Sequence, residues 1–253
     1  MIHWFEYNGK DSRDYGLFIK DKTAFDRPSR NIDFISIPGR DGDLIIDNGG
    51  YQNLSVKYSM RLVVDNITGD EQADFEAFYN MAAGFLNQTA DYYKLKDSYN
   101  PTFYRKACLT SAIATKQLNP LIADFDVTFS CKPYKYYFSG EQKITVDKPP
   151  PETIVNKTNA TSLPLFRVYS NYTYNPQVET THRFYVNGKA YVIKNINNYV
   201  DIDSDMMNVF KGSTSRNNNY ESLDFPAFKP GNNTVQISVG VSKIEIIPRW
   251  RSL

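Results

Sequence analysis

A chain of 253 residues, 41% hydrophobic and 15% aromatic, carries enough apolar surface for one large domain or two ordinary ones, and is too apolar for a disordered chain. Its 29 Lys and Arg stand against 28 Asp and Glu, and a net charge of +1 argues against a protein that coats nucleic acid through clustered cations. With two His and two Cys, neither a disulfide framework nor a His/Cys metal site is expected, and no cofactor is implied.

No apolar run approaches the length of a membrane span, so no membrane contact is expected. The start, Met1-Ile2-His3-Trp4-Phe5-Glu6, lacks the charged and apolar stretches of a signal peptide, which points to synthesis and folding in a reducing cytoplasm. Asn66-Ile67-Thr68 and Asn171-Tyr172-Thr173 match the glycosylation triplet and read as chance products of an Asn-rich β protein.

In chain order, residues 31–37 read as a strand ended by Pro38-Gly39, and residues 44–46 as a shorter one broken by Asn48-Gly49-Gly50. Pro38-Gly39 suits the centre of a type II turn and Asp41-Gly42 supplies a second tight turn, so Arg40 and Asp41 project from a constrained loop. The sharper reading of Pro38, Gly39, Arg40, Asp41 and Gly42 is a contact between identical subunits, where Arg–carboxylate geometry fixes register. From Leu54 to Leu62 every second residue is apolar, the pattern of a strand with one buried face. Thr68 and Glu71 fit a capping box opening an amphipathic helix over 69–86, with Phe75, Phe78, Ala82 and Phe85 or Leu86 at helical spacing.

Residues 103–115 and 122–132 read as two strands about Leu118-Asn119-Pro120, a pairing that sets Cys108 opposite Cys131. A disulfide is sterically open there; two reduced thiols suit a cytoplasmic protein better. The stiff run Asp147-Lys148-Pro149-Pro150-Pro151 follows, and the boundary between two domains is placed after Phe138, giving 1–138 and 139–253. The halves carry net charges of −2 and +3, so the neutral total hides no strongly basic half. The second half shows alternating short strands, a hairpin at Asn187-Gly188 pairing Phe184 with Tyr191, and no convincing helix: a β-sandwich.

Catalytic motifs are missing: no Gly-x-Ser-x-Gly elbow, Walker loop, Gly-x-Gly-x-x-Gly or His-Glu-x-x-His occurs, and no enzyme is expected. Asp201, Asp203 and Asp205 alternate, but Met206 stands where a calcium loop needs Gly, so they read as a solvated strand end or turn. Tyr172, Tyr174, Tyr185, Tyr191, Tyr199 and Tyr220 keep open an alternative, a carbohydrate-binding module for cell-wall glycans.

One set of local runs, taken in order, resembles a family. Phe5-Glu6-Tyr7-Asn8-Gly9, Tyr15-Gly16-Leu17, Ile37 to Leu44, Phe103-Tyr104-Arg105-Lys106-Ala107 and Phe129 to Tyr134 lead the set. Val200 to Ser204, Phe225 to Asn232, and Ile247-Pro248-Arg249-Trp250-Arg251 complete it. The chain resembles the distal tail (Dit) proteins of long-tailed, non-contractile phages that infect Gram-positive bacteria. The resemblance implies a mainly β fold: an N-terminal β-rich ring-forming domain with one helix, then a galectin-like or carbohydrate-module-like β-sandwich. It implies a homohexameric hub of the virion tail tip, joining the tail tube protein to the tail-tip protein and passing DNA through its channel without specific binding. At about 115 residues the second domain leaves no room for an inserted carbohydrate module. Pro248, Arg249 and Trp250 join the Pro38–Gly42 loop as expected structural or assembly residues, with Trp250 filling either the sandwich or the domain junction.

Overall fold

The alternating stretch becomes the strand around which the first half is built. A computed structural model of the protein describes residues 2–22, 27–65, 68–87, 89–111 and 114–253. Part of the triplet at 66–68 and of the expected strand at 103–115 therefore lies outside the described residues. The chain divides into two compact units, Met1–Lys135 with Leu253, and Tyr136–Ser252.

The first unit comprises β1 (Phe5–Tyr7), β2 (Lys10–Asp11), β3 (Leu17–Lys22), β4 (Arg30–Ser36), β5 (Asp43–Tyr51) and β6 (Leu54–Val63). After α1 (Glu71–Leu86) come β7 (Tyr93–Asp97), β8 (Phe103–Leu109), β9 (Lys116–Asn119) and β10 (Ile122–Tyr137), which runs on past Lys135. The main sheet has the order β2-β1-β7-β8-β10-β6-β3, and an antiparallel bridge from His3 to Ile19 curls its edge strand back to the segment leading into β1. Phe5, Tyr7, Tyr58 and Phe129 meet on the inner face, and Phe5 and Phe85 lie 5.9 Å apart as α1 closes over it. From Leu54 to Leu62 the apolar residues of β6 are buried and those between them are not, because side chains on a strand alternate faces.

The helix begins two residues later than the spacing of Thr68 and Glu71 predicts. Asp70 is the cap, its carboxylate accepting from the Ala73 amide, since a carboxylate caps as well as a hydroxyl. Thr68 instead donates through both its amide and its hydroxyl to the Asp74 carboxylate, each at 2.7 Å. The turn expected at Leu118-Asn119-Pro120 sits instead at Pro120-Leu121, with Asn119 of β9 paired to Ile122 of β10, and the strand before it is two strands, β8 and β9. Cys108 and Cys131 carry no disulfide; Cys131 is fully buried, and burial pushes its thiol up to about 12, which keeps it inert.

Among the described residues, β4 and β5 stand apart as a two-stranded sheet that pairs with no strand of the main sheet. β5 is longer than the run 44–46 predicts. It continues through Gly49 and Gly50, and the register shifts between Arg30 and Ile32 where the ribbon bends.

The second unit is a sandwich. Its strands are β11 (Ile144–Val146), β12 (Glu152–Asn156), β13 (Leu165–Ser170), β14 (Thr181–Val186), β15 (Lys189–Lys194) and β16 (Tyr199–Asp203). They continue with β17 (Asn208–Lys211), β18 (Thr214–Ser215), β19 (Gly231–Ile237) and β20 (Val241–Ile247), while β21 (Arg251–Ser252) joins neither of the two sheets of the sandwich. One sheet has the order β11-β20-β13-β16-β17-β18 and the other β12-β19-β14-β15. Phe166 and Val168 of the first face Phe184 and Val186 of the second, with the Phe166 and Phe184 rings 5.6 Å apart. The Asn187-Gly188 turn sets Phe184 opposite Tyr191, as the two-residue hairpin demands.

Core and ribbon differ in what a truncation removes. Phe5→Ala is expected to cost about 3–5 kcal/mol of unfolding free energy, because it empties space among Tyr58, Phe85 and Phe129. Phe34→Ala on the exposed ribbon is expected to change the dilute, monomeric chain by less than about 0.5 kcal/mol. Urea titrations of both variants at low concentration check the contrast.

Candidate functional site

The ribbon and its tip are the first place where the structure departs from an ordinary globular surface. Ile37 accepts from the Arg40 amide at 3.2 Å, with Pro38 and Gly39 between them. Gly39 has φ +79°, the left-handed value that the third position of a type II turn requires. Pro38, Gly39, Arg40, Asp41 and Gly42 thus sit together at the tip, all exposed. Opposed residues share a face: Phe34 pairs with Ile45, while Ile35 pairs with Leu44 and Asp33 with Ile46. One face therefore shows Ile32, Phe34 and Ile45, and the other Ile35, Leu44 and Ile46. Phe34 is 60% exposed and Ile45 61%, and from Arg30 to Gly50 only Ile32 and Ile37 are even half-buried. Polar contacts confined to the ribbon stiffen it: Arg30 pairs with Asp47 at 2.9 Å and Asn48 donates to Asp33 at 2.7 Å. Its root is held where Tyr51 meets Tyr134 edge-on.

Pro248, Arg249 and Trp250 lie in the second unit and act as a clasp within it. The Arg249 guanidinium forks onto both oxygens of Asp203 at 2.6 and 2.7 Å. Burial opposes the Asp203 charge, yet the Arg249 fork and the amides of Met206 and Asp205 hold its carboxyl below the usual range. The Pro248 carbonyl accepts from the buried Ser162 hydroxyl. The Arg249 amide donates to the Gly140 carbonyl at 2.7 Å, and Trp250 packs on Phe228 in the sandwich core at 5.8 Å. Gly140 is dictated by close approach, because a Cβ there would stand 2.2 Å from the Trp250 nitrogen. Tip and clasp are separate constructions, one exposed and the other largely internal.

The alternating aspartates differ from the solvated end that their spacing predicts. Asp201 and Asp203 are buried, and each is matched by an arginine: Arg167 forks onto Asp201 at 2.7 and 2.9 Å, as Arg249 does onto Asp203. Arg251 approaches Asp205 at 3.9 Å. The Arg167 and Arg249 partners lie 34 and 46 residues away along the chain, so nothing in the local pattern announces them.

The two histidines are likewise committed. His3 stacks on Tyr99 at 3.9 Å. His182 is fully buried, its Nε2 lies 2.9 Å from the Ser170 hydroxyl, and its Nδ1 closes no hydrogen bond. The six tyrosines of the glycan alternative are dispersed. Tyr191 is buried, Tyr220 stacks on Phe225, and Arg167 and Lys211 both lie over the Tyr199 ring. Tyr172 and Tyr174 remain exposed.

One cluster that sequence reasoning missed lies in the first unit. Lys22 is bound to Asp97 at 2.5 Å, and Asp97 also accepts from the Tyr58 hydroxyl and from the amides of Tyr99 and Asn100. Nearby, Lys135 and Arg105 share the Phe103 ring at 5.4 and 5.9 Å. Burial, then the neighbouring charges of Arg105, Arg27 and Lys22, hold the Lys135 ammonium below its ordinary pKa. These residues are up to about 110 positions apart, and only the curl of the sheet gathers them.

Fold and site together define a two-unit β protein whose first unit presents an apolar, solvent-exposed arm. No protein-family model matches the chain, and no curated protein matches it. Among solved structures, the crystal structure of the SPP1 Dit protein, described as a paradigm of the hub adsorption apparatus in phages that infect Gram-positive bacteria, is similar along nearly the whole chain. The TM-score is 0.72 at 14% identity, over 97% of this chain and 98% of that one. The chain has the Dit fold.

Two outcomes test the site geometry. Gly140→Ala is expected to destabilise the second unit by about 1–3 kcal/mol, since backbone rather than a mobile side chain must give way; thermal melts read this. Burial, working against a smaller opposing pull from the Ile193 backbone, keeps His182 neutral and lowers its pKa. The unfolded chain then binds the extra proton first, so stability should be full above about pH 6.5 and decline as pH falls toward the folded value. Unfolding between about pH 7.5 and 5 checks this, and His182→Gln should flatten the slope.

Proposed function

We propose that the chain is a distal tail hub protein of a phage that infects Gram-positive bacteria. Six copies close into a ring at the tail tip, between the tail tube protein and the tail-tip protein, and DNA leaves through the channel. Residues 1–138 form the ring, and the sandwich of 139–253 is its outer docking module. The observation that carries this reading is the arm. A lone two-stranded ribbon is marginal in water, and one with apolar side chains on both faces needs a covering surface on each. A head-to-tail contact between identical chains supplies that cover and, when the rotation closes, yields a ring. The likeness to SPP1 Dit over nearly the full chain supports the same assignment. The first half's net charge of −2 suits a passage that must not hold DNA. Arg40 and Asp41, at the arm's tip, set the register between neighbours.

Light scattering on the purified chain is expected to give about 175 kDa, six times the 29.1 kDa chain, with a six-fold ring in negative stain. Phe34→Asp with Ile45→Asp should leave a folded monomer. Equal masses for wild type and variant would contradict the reading.

A further inference from the structure

The arm's apolar faces explain why it needs cover but not what orients it. Charge supplies a direction. Along the arm, Asp47 is paired with Arg30 and Asp33 accepts from Asn48, which leaves Asp41 and Asp43 at the tip, beside Arg40, with no ion pair among the described residues. On the main sheet the imbalance has the opposite sign. Asp97 is fully committed to Lys22, Tyr58 and two amides, so Arg27, Arg105 and Lys135 stand without an acidic partner among the described residues. The half-buried Arg105 head has a nitrogen, Nη1, with no acceptor, a state that costs free energy until a negative group arrives nearby. Lys135 and Arg105 crowd one phenyl ring, which fixes their spacing.

The arm of the same chain cannot reach this cluster with its tip. It departs from the cluster, three residues after Arg27, and β4 alone carries it about 20 Å away as a paired ribbon. The complementary tip must come from another molecule. Each chain carries one acidic tip and one cationic cluster, so the contact can repeat head-to-tail, the kind that closes rings.

We propose that the cluster of Arg27, Arg105 and Lys135 is the receptor for the acidic arm tip, Asp41 and Asp43, of a second copy of this chain. The inference rests on the self-assembly reading above and adds the site at which the arm ends. A guanidinium beside a lysine suits carboxylates, because Arg presents a planar fork and Lys a point charge. The apolar faces supply adhesion, and the charged pair supplies polarity and register.

The test is a charge swap in the full chain, read by light scattering over a concentration series. Asp41→Lys with Asp43→Lys changes only exposed residues, and Arg27→Glu with Lys135→Glu reverses the receptor; circular dichroism confirms folding. Each reversal alone is expected to raise the concentration for half-assembly roughly tenfold or more. Mixing the two variants, or combining all four changes in one chain, should restore assembly to within about threefold of wild type, since opposite charges face again. Wild-type-like assembly of either single reversal overturns the inference while leaving the ring reading intact, as does a failure of the swap to rescue. Tight binding of inorganic phosphate or single-stranded DNA by the wild type, lost in the receptor variant while assembly is kept, overturns it in favour of a phosphate site. A wild-type chain that stays monomeric at every concentration removes the ring reading and this inference with it.

Discussion

Two paired strands have no interior. A sheet face is stable in water only when something covers it, and a ribbon has two faces and nothing of its own to fold over either. In this chain β4 and β5 carry Phe34 and Ile45 on one side and Ile35, Leu44 and Ile46 on the other, with every one of them exposed. The remainder of the first unit is closed: its sheet curls until His3 bridges Ile19, and α1 seats Phe85 and Leu86 against the aromatic core. A closed body thus carries an uncovered arm.

The second unit solves a different problem. Its sandwich core is apolar, but Asp201 and Asp203 are buried beside it, and buried carboxylates are tolerated only with partners of matching geometry. Arg167 and Arg249 supply forked contacts, and the Arg249 contact also fastens the last residues of the chain to the segment around Gly140. The result is a unit whose two buried aspartates are both matched within it. The cations lying over Tyr199 leave little free ring surface there for a sugar.

Much of this was legible in the residues. The period of two from Leu54 to Leu62, the apolar spacing of α1, and the Asn187-Gly188 hairpin are local patterns, and local physics decides them. The type II turn at Pro38-Gly39 was legible for the same reason. What stayed hidden depends on distance along the chain. Phe34 and Leu44 to Ile46 look like core strand in sequence, because an apolar strand pattern does not say whether anything covers it. The aspartate row read as solvated because Arg249 lies 46 residues beyond Asp203. The cationic cluster draws on β3, β8 and β10 together with the segment that leads into the arm, and no window of sequence contains it. Thr68 lost the capping role to Asp70, a choice between two good caps that spacing alone does not rank.

The central claim is that the arm is covered only by another copy, and amide hydrogen exchange tests it most directly. In assembled protein the β4 and β5 amides should exchange slowly, on the scale of the main sheet. In dilute monomer, or in the Phe34→Asp and Ile45→Asp chain, they should exchange orders of magnitude faster while β6 and β10 stay protected. Arm amides as protected in the monomer as in the assembly would contradict the account.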